Sequence, residues 1–307
     1  MKVFKLLLII LSLLMLSSCE LFYSPSSPTI RMVTVASDYS NLPGINRLIV
    51  CPKDQDAIVD QFEYLATESS YEYEGVHITY EDSKLYSVIS SSKNGIKTFQ
   101  TTKNSPYSSS SEKHMKNAIS NAFRYVSSLS SDDDITIFYY TGHGAKGDEF
   151  SWVENGTLFF ERDSKDCILV EELFEMMSSI KGKKLIIIDA CYSGAFVYDD
   201  IYYPTSAMDA YKILLETPTI KNDNLWILSS SRSTEESWTD NAIGYSKFTS
   251  LVLEYLGFDT ENKAVGNPKD KKIFLSDIAA YAIENIDKEI QIPQSENTLR
   301  DLMLFSL

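Results

Sequence analysis

Two short stretches hold residue types suited to nucleophilic chemistry. At 185–194 the chain reads LIIIDACYSG, a branched apolar run that ends in Asp189, Ala190 and Cys191. Upstream, YYTGHG sets His143 between Gly142 and Gly144. A cysteine attacks a carbonyl carbon as its thiolate, and an imidazole beside it takes and returns the proton. Paired glycines let the backbone turn sharply and bring main-chain N–H groups close to a ligand. Each motif alone has a plainer meaning: a strand-end cysteine packs as a small hydrophobe, and a histidine between glycines is an ordinary loop residue. Found together after two successive apolar segments, they read as a Cys–His pair. His77 and His114 lack both the glycine flanks and the preceding apolar run. Ser193 offers a serine nucleophile instead, but no Gly-x-Ser-x-Gly elbow surrounds it.

Such a pair needs a frame. Residues 135–140, 185–188 and 225–228 are short, apolar and without polar alternation, as strands covered on both faces read. They end in Thr141-Gly142-His143, in Asp189-Ala190-Cys191 and in Ser229-Ser230-Ser231. Residues 46–51, NRLIVC, are expected to form the first strand of the same kind. Helical spacing falls between the strands, at 56–65 with Ile58, Phe62 and Leu65 inward, and at 115–129 after a capping-box pair, Ser109 and Glu112. Further helices are expected at 170–180, 206–216, 247–256 and 275–286. This alternation is that of an α/β fold with helices on both sheet faces, whose reactive groups gather beyond the carboxyl ends of the strands. Residues 71–107, rich in Ser, Tyr and Lys, are expected to hold a hairpin and a strand at Ile96–Thr101. Asn155-Gly156 predicts a tight hairpin within 152–160. No internal repeat and no boundary between two domains stand out.

With 307 residues, 44% hydrophobic and 12% aromatic, the chain suffices for one large domain or two small ones. Its first residues read as a secretion signal: Lys2 and Lys5, an apolar run at 6–16, then Ser17, Ser18 and Cys19. That run is too short to span a bilayer as a helix. Leu16-Ser17-Ser18-Cys19 resembles the lipobox of bacterial lipoproteins. The resemblance implies that residues 1–18 are removed and that Cys19 is lipidated, attaching the chain to the membrane through an acyl anchor. An ordinary signal with an incidental cysteine is the plainer alternative. Residues 19–45 then read as a tether and 46–307 as the folded domain. Removing 1–18 takes the formal charge from −15 to about −17. So acidic a surface repels nucleic acid and anionic headgroups, which excludes nucleic acid as a partner. Past Cys19, the odd set Cys51, Cys167 and Cys191 leaves at least one thiol unpaired within the chain; a Cys51–Cys167 disulfide would leave Cys191 free. Asp132-Asp133-Asp134 reads as a solvated turn, with calcium binding as the other reading; no cofactor is required.

YYTGHG and IIIDACYSG together resemble the His and Cys motifs of caspase-like cysteine peptidases. The metacaspase and paracaspase-like branch is nearest, with the legumain and clostripain groups as relatives. SSSRSTEESW, GYSKFTSLVLEYL and the IQIPQ stretch before LMLF agree, so the resemblance runs over about 46–307, with 71–110 matching poorly. It implies a caspase-like three-layer fold, a mostly parallel central sheet with helices on both faces. It further implies a cysteine endopeptidase acting on proteins or peptides. Cys191 would be the nucleophile and His143 the proton donor to the leaving amine, with no third group needed to orient it. Backbone N–H groups of Gly144 and Cys191 would hold the oxyanion. Asp189, Asp56 and Thr141 would form an anionic pocket for Arg or Lys before the cut, although Asp189 also reads as a strand-end acid capping local backbone. The lipobox places this activity on the bacterial cell envelope. Residues 198–224, which carry Lys212 and Lys221, lie where relatives are cut during activation. Trp238 either walls the substrate cleft or packs as an ordinary aromatic. The competing reading of the whole chain is a surface lipoprotein that keeps the fold as a catalytically silent binding module.

Overall fold

Strands buried on both faces form the middle of the molecule. The structure, a computed structural model, describes residues 27–40, 42, 44–81, 84–93, 96–101, 115–147, 153–160, 166–197, 224–296 and 301–307. Its first half runs β1 (Thr29–Ser37), α1 (Cys51–Glu68), β2 (Glu72–Glu81), β3 (Lys84–Lys93), β4 (Ile96–Thr101), α2 (Met115–Leu129), β5 (Ile135–Thr141) and β6 (His143–Ala145). There follow β7 (Thr157–Phe159), β8 (Cys167–Ile168), α3 (Val170–Ser178), β9 (Lys183–Asp189), β10 (Leu225–Ser229), β11 (Thr239–Asp240) and β12 (Tyr245–Ser246). The chain ends with α4 (Lys247–Tyr255), β13 (Lys272–Phe274), α5 (Leu275–Asn285), β14 (Gln294–Ser295) and β15 (Met303–Ser306).

Among the described residues, eight strands form one sheet in the order β14-β10-β9-β5-β1-β2-β3-β4. The middle five, β10 through β2, are parallel; β14 and β3 run antiparallel to them, and β4, antiparallel to β3, returns to their direction. Alternate side chains serve two cores, as the period of a strand dictates. Ile30, Met32, Tyr139 and Ile187 pack with α1, α4 and α5, whereas Val33, Val35, Tyr140 and Ile188 pack with α2 and α3. The result is a mostly parallel α/β sheet with helices on both faces, as expected above. From β1 the chain crosses to β2 on one side and later to β5 on the other. Such a reversal opens a crevice beyond the carboxyl ends of the strands.

The first strand is not where the apolar run NRLIVC suggests. Pro52 stands in the first turn of α1, where a missing N–H is harmless and a fixed φ favours the helix. That run therefore leads into a helix that starts at Cys51. The true first strand is β1, entirely buried and paired with β2 and β5, so the folded domain includes residues from 29 on rather than starting at 46. Arg31 disguises this strand in the sequence, and it is neutralised by Asp134 (2.9 Å) and by Glu74. Asp134 also accepts the main-chain N–H groups of Thr29 and Ser131, which gives this acid a structural task.

Asn155-Gly156 does make a turn, with Gly156 at φ +80° and the Thr157 N–H donating to the Glu154 carbonyl at 3.1 Å. The partner of β7 is β6, however, so the turn belongs to a longer excursion rather than to a tight hairpin. No disulfide joins Cys51 to Cys167; both are buried thiols. The signal segment, Cys19, the Ser109–Glu112 cap, the 206–216 helix, Lys212 and Lys221 lie outside the described residues.

Candidate active site

Three strand ends meet at the crevice: Tyr39 follows β1, His143 follows β5 and Cys191 follows β9. The cleft there holds about 630 Å³ and is lined by Cys51, His143, Gly144, Asp189, Cys191 and Ser237, among others. No lysine or arginine belongs to its described lining.

Cys191 stands just before a forced turn. Tyr192 takes the left-handed conformation, φ 60° and ψ 16°, ahead of a 3₁₀ turn at Ser193–Phe196. A side-chain-bearing residue there costs about 1–2 kcal/mol, and its N–H is tied to the Glu235 carbonyl at 2.7 Å. Below the turn, the hydroxyls of Ser230 and Ser231 each donate to the Ala190 carbonyl at 3.2 Å. Ser193 is fully buried with its hydroxyl 3.3 Å from both of theirs. It props the turn out of reach of any substrate, which removes the serine-nucleophile reading. On the open side, the Ser237 N–H donates to Cys191 Sγ at 3.3 Å, and the thiol faces the Ser237 carbonyl at 3.7 Å. Burial pushes this thiol up to about 11; the Ser237 N–H pulls it down, while the charges of Glu236 and Asp189 raise it further. At rest it is protonated, so attack requires a base.

His143 can be that base. Its Nε2 lies 2.7 Å from the Asn46 carbonyl, which can only accept, so the proton is on Nε2 and Nδ1 keeps a lone pair. The main-chain carbonyl of Asn46 thus holds the ring. Tyr39 packs its ring 4.4 Å from the imidazole and accepts the His143 N–H at 2.8 Å. Its own hydroxyl donates to Phe159 at 2.7 Å, while Tyr140 donates to the His143 carbonyl at 2.7 Å. The glycines beside the histidine are required by close contacts. A Cβ on Gly144 would lie 1.9 Å from the Cys191 carbonyl oxygen, and one on Gly142 within 2.6 Å of the hydroxyls of Tyr140 and Tyr39.

The floor of the cleft is acidic. Asp189 is buried; its Oδ1 accepts the Ser237 hydroxyl at 2.7 Å, and its Oδ2 accepts the Thr249 N–H (3.1 Å) and hydroxyl (2.7 Å). Behind it, Asp54 accepts the Ser246 N–H at 3.0 Å and hydroxyl at 2.5 Å, and the Thr141 hydroxyl at 3.2 Å. Burial and then the neighbouring charge of Asp189 push Asp54 up to about 8, against the pull of those three bonds. Asp189 is raised too, first by burial.

A sequence profile described as the caspase domain matches residues 38–303. The chain belongs to the caspase family. No curated protein matches it. Members of this family are cysteine peptidases, and protein substrates go with the domain. In this caspase-family chain the fold brings His143, Gly144, Cys191 and Asp189 to one cleft, with Thr141 just behind. It does not bring Asp56. That residue is exposed on the outer side of α1. Two positions along a helix turn a side chain about 200° away, so the acid on the inner side of α1 is Asp54, buried behind Asp189. The pattern was available: Asp54, Ile58, Phe62 and Leu65 share the buried stripe, and Asp56 breaks it. Nothing in the sequence signalled the parts played by Tyr39, Asn46 and Ser237. Trp238 is half exposed at the rim, so it walls the cleft rather than packing in a core.

Proposed function

We propose that this protein is a cysteine endopeptidase, carried on the cell envelope by a lipidated Cys19, that uses Cys191 and His143 to cut after Arg or Lys. The observation that carries the reading is one cleft, free of Lys and Arg in its described lining, in which thiol, imidazole and a buried carboxylate lie together. His143 Nδ1 takes the thiol proton as Cys191 attacks the scissile carbonyl. Main-chain N–H groups of Gly144 and Cys191 receive the oxyanion. His143 then protonates the leaving amine, and water releases the acyl group from sulfur. The guanidinium or ammonium of the residue before the cut pairs with Asp189, and Asp54 adds to the negative potential from behind once it ionises at about pH 8.

The test sets the full chain beside Cys191→Ala on fluorogenic peptides carrying Arg, Lys, Asn or Asp before the scissile bond, with and without calcium. Cleavage after Arg and Lys that disappears in the variant is expected. Cleavage confined to Asn or Asp would overturn the basic specificity and keep the peptidase. Silence on every peptide, even after limited proteolysis, would favour the silent binding module. Cys19→Ala should move the protein from the membrane fraction to the soluble one.

A further inference from the structure

His143 and Cys191 divide a bound peptide between them. Cys191 takes the scissile carbonyl, so the residue before the cut lies with the thiol and Asp189. His143 protonates the departing nitrogen, so the residue after the cut must pass the imidazole. The side chains that flank this ring on β6 and β7 are apolar. His143 and Ala145 alternate onto one face of β6, and Phe159 stands directly opposite His143 in the antiparallel pair with β7. Ile45 packs against Ala145 and Phe159, and all three line the cleft with His143. We propose that Ile45, Ala145 and Phe159 form a subsite for an apolar residue immediately after the cut. The proposal rests on the reading of His143 and Cys191 as a pair that hydrolyses peptides.

Ala145 and Phe159, 2% and 7% exposed, make the floor, and half-buried Ile45 offers the surface that a substrate covers. The floor is braced from two sides. The Gly156 N–H donates to the Ala145 carbonyl at 3.1 Å, and the Tyr39 hydroxyl donates to the Phe159 carbonyl at 2.7 Å. Ile45 is tied to the base itself. The carbonyl of the next residue, Asn46, accepts from His143 Nε2 at 2.7 Å, so the bond that holds the imidazole also keeps Ile45 beside it.

Selectivity follows from the chemistry of these three side chains. An aliphatic group laid on them leaves water for apolar contact, which favours binding in proportion to the area covered. A carboxylate or ammonium in the same place loses hydration and gains no charged partner from them. The group after the cut departs when the acyl-enzyme forms, so the preference belongs to kcat/KM and is absent from deacylation.

The experiment sets four peptides in competition for the full-length protein, identical except for Leu, Gly, Asp or Lys after the cut. The residue before the cut is held constant at whichever of Arg, Lys, Asn or Asp is cleaved. Mass spectrometry of the products gives relative kcat/KM whatever the fraction of active enzyme. Leu should exceed Gly about five- to tenfold, the gain from covering roughly half of an aliphatic side chain, and should exceed Asp and Lys by more. Ile45→Ala should bring the Leu-to-Gly ratio down to about twofold, and Ile45→Lys should make Asp preferred over Lys. A displaced His143 would slow every peptide alike and leave these ratios standing. Ratios unchanged in both variants, or equal cleavage of all four peptides by wild type, would therefore overturn the subsite and keep the peptidase. No cleavage of any peptide, even after limited proteolysis, would overturn the reading of His143 and Cys191 and this inference with it.

Discussion

Asp54→Asn and Asp56→Asn change carboxylates two positions apart on α1, and the structure assigns them opposite consequences. Asp54 is buried behind Asp189 and accepts three hydrogen bonds, from the Ser246 N–H, the Ser246 hydroxyl and the Thr141 hydroxyl. An amide keeps the shape, removes the charge and sets an NH₂ group against those donors. Above pH 8, where Asp54 is ionised, a charged hydrogen bond contributes about 1.5–3 kcal/mol, so kcat/KM on an Arg peptide measured there should fall about 10- to 100-fold. Asp56→Asn, altering an exposed residue, should stay within about twofold. The pH profile adds a second readout. Asp54 carries a proton up to about 8, through burial and the charge of Asp189, and Thr141, Ser246, Cys51, Tyr139 and Tyr245 are the other groups facing it. Only the ionised form pairs with a cation, so KM for Arg peptides should fall as pH rises through about 8 in wild type, and less in Asp54→Asn. Stability should move the opposite way. The native protein keeps this proton to about 8 while the unfolded chain releases it near 3.8. The contribution is therefore complete below about pH 4 and lost as pH rises through about 8. Thermal unfolding of Asp54→Asn should lack that decline. Equal loss on Asp56→Asn, or equal loss on peptides with a neutral residue before the cut, would refute the reasoning.

Two further outcomes check other parts of the fold. Gly144→Ala places a Cβ 1.9 Å from the Cys191 carbonyl, so the backbone beside the nucleophile must shift; kcat/KM should drop at least about 100-fold while circular dichroism stays native. His77, buried between Thr34 (2.8 Å) and Ser90 (2.7 Å), is held neutral to about 4 by burial. The unfolded chain takes up that proton near 6.5, so stability should be lost as pH falls from 6.5 toward 4, by about 3 kcal/mol at most. Urea unfolding of His77→Gln across that range should show a flatter profile, and an unchanged slope would count against the assignment.

Much of the architecture is legible in the sequence because strands covered on both faces must be continuously apolar. That property exposed β5, β9 and β10, and with them the positions just past their ends, where His143, Asp189 and Cys191 stand. The helical stripe of α2 was readable for a similar reason. β1 was not, because a buried Arg31 looks polar until Asp134 and Glu74, far along the chain, neutralise it.

What the sequence by itself determined was therefore the fold class and the strand ends past which His143 and Cys191 stand, since both depend on local pattern. Which acid stands behind the pocket was decided only in three dimensions, because the start of α1 at Cys51 sets the phase of the helix and turns Asp54 inward and Asp56 out. The same holds for the proton on His143, settled by a carbonyl from residue 46, and for the thiol's resting state, settled by burial against the pull of the Ser237 N–H. These are contacts between segments distant in the chain, and only packing brings them within hydrogen-bonding reach.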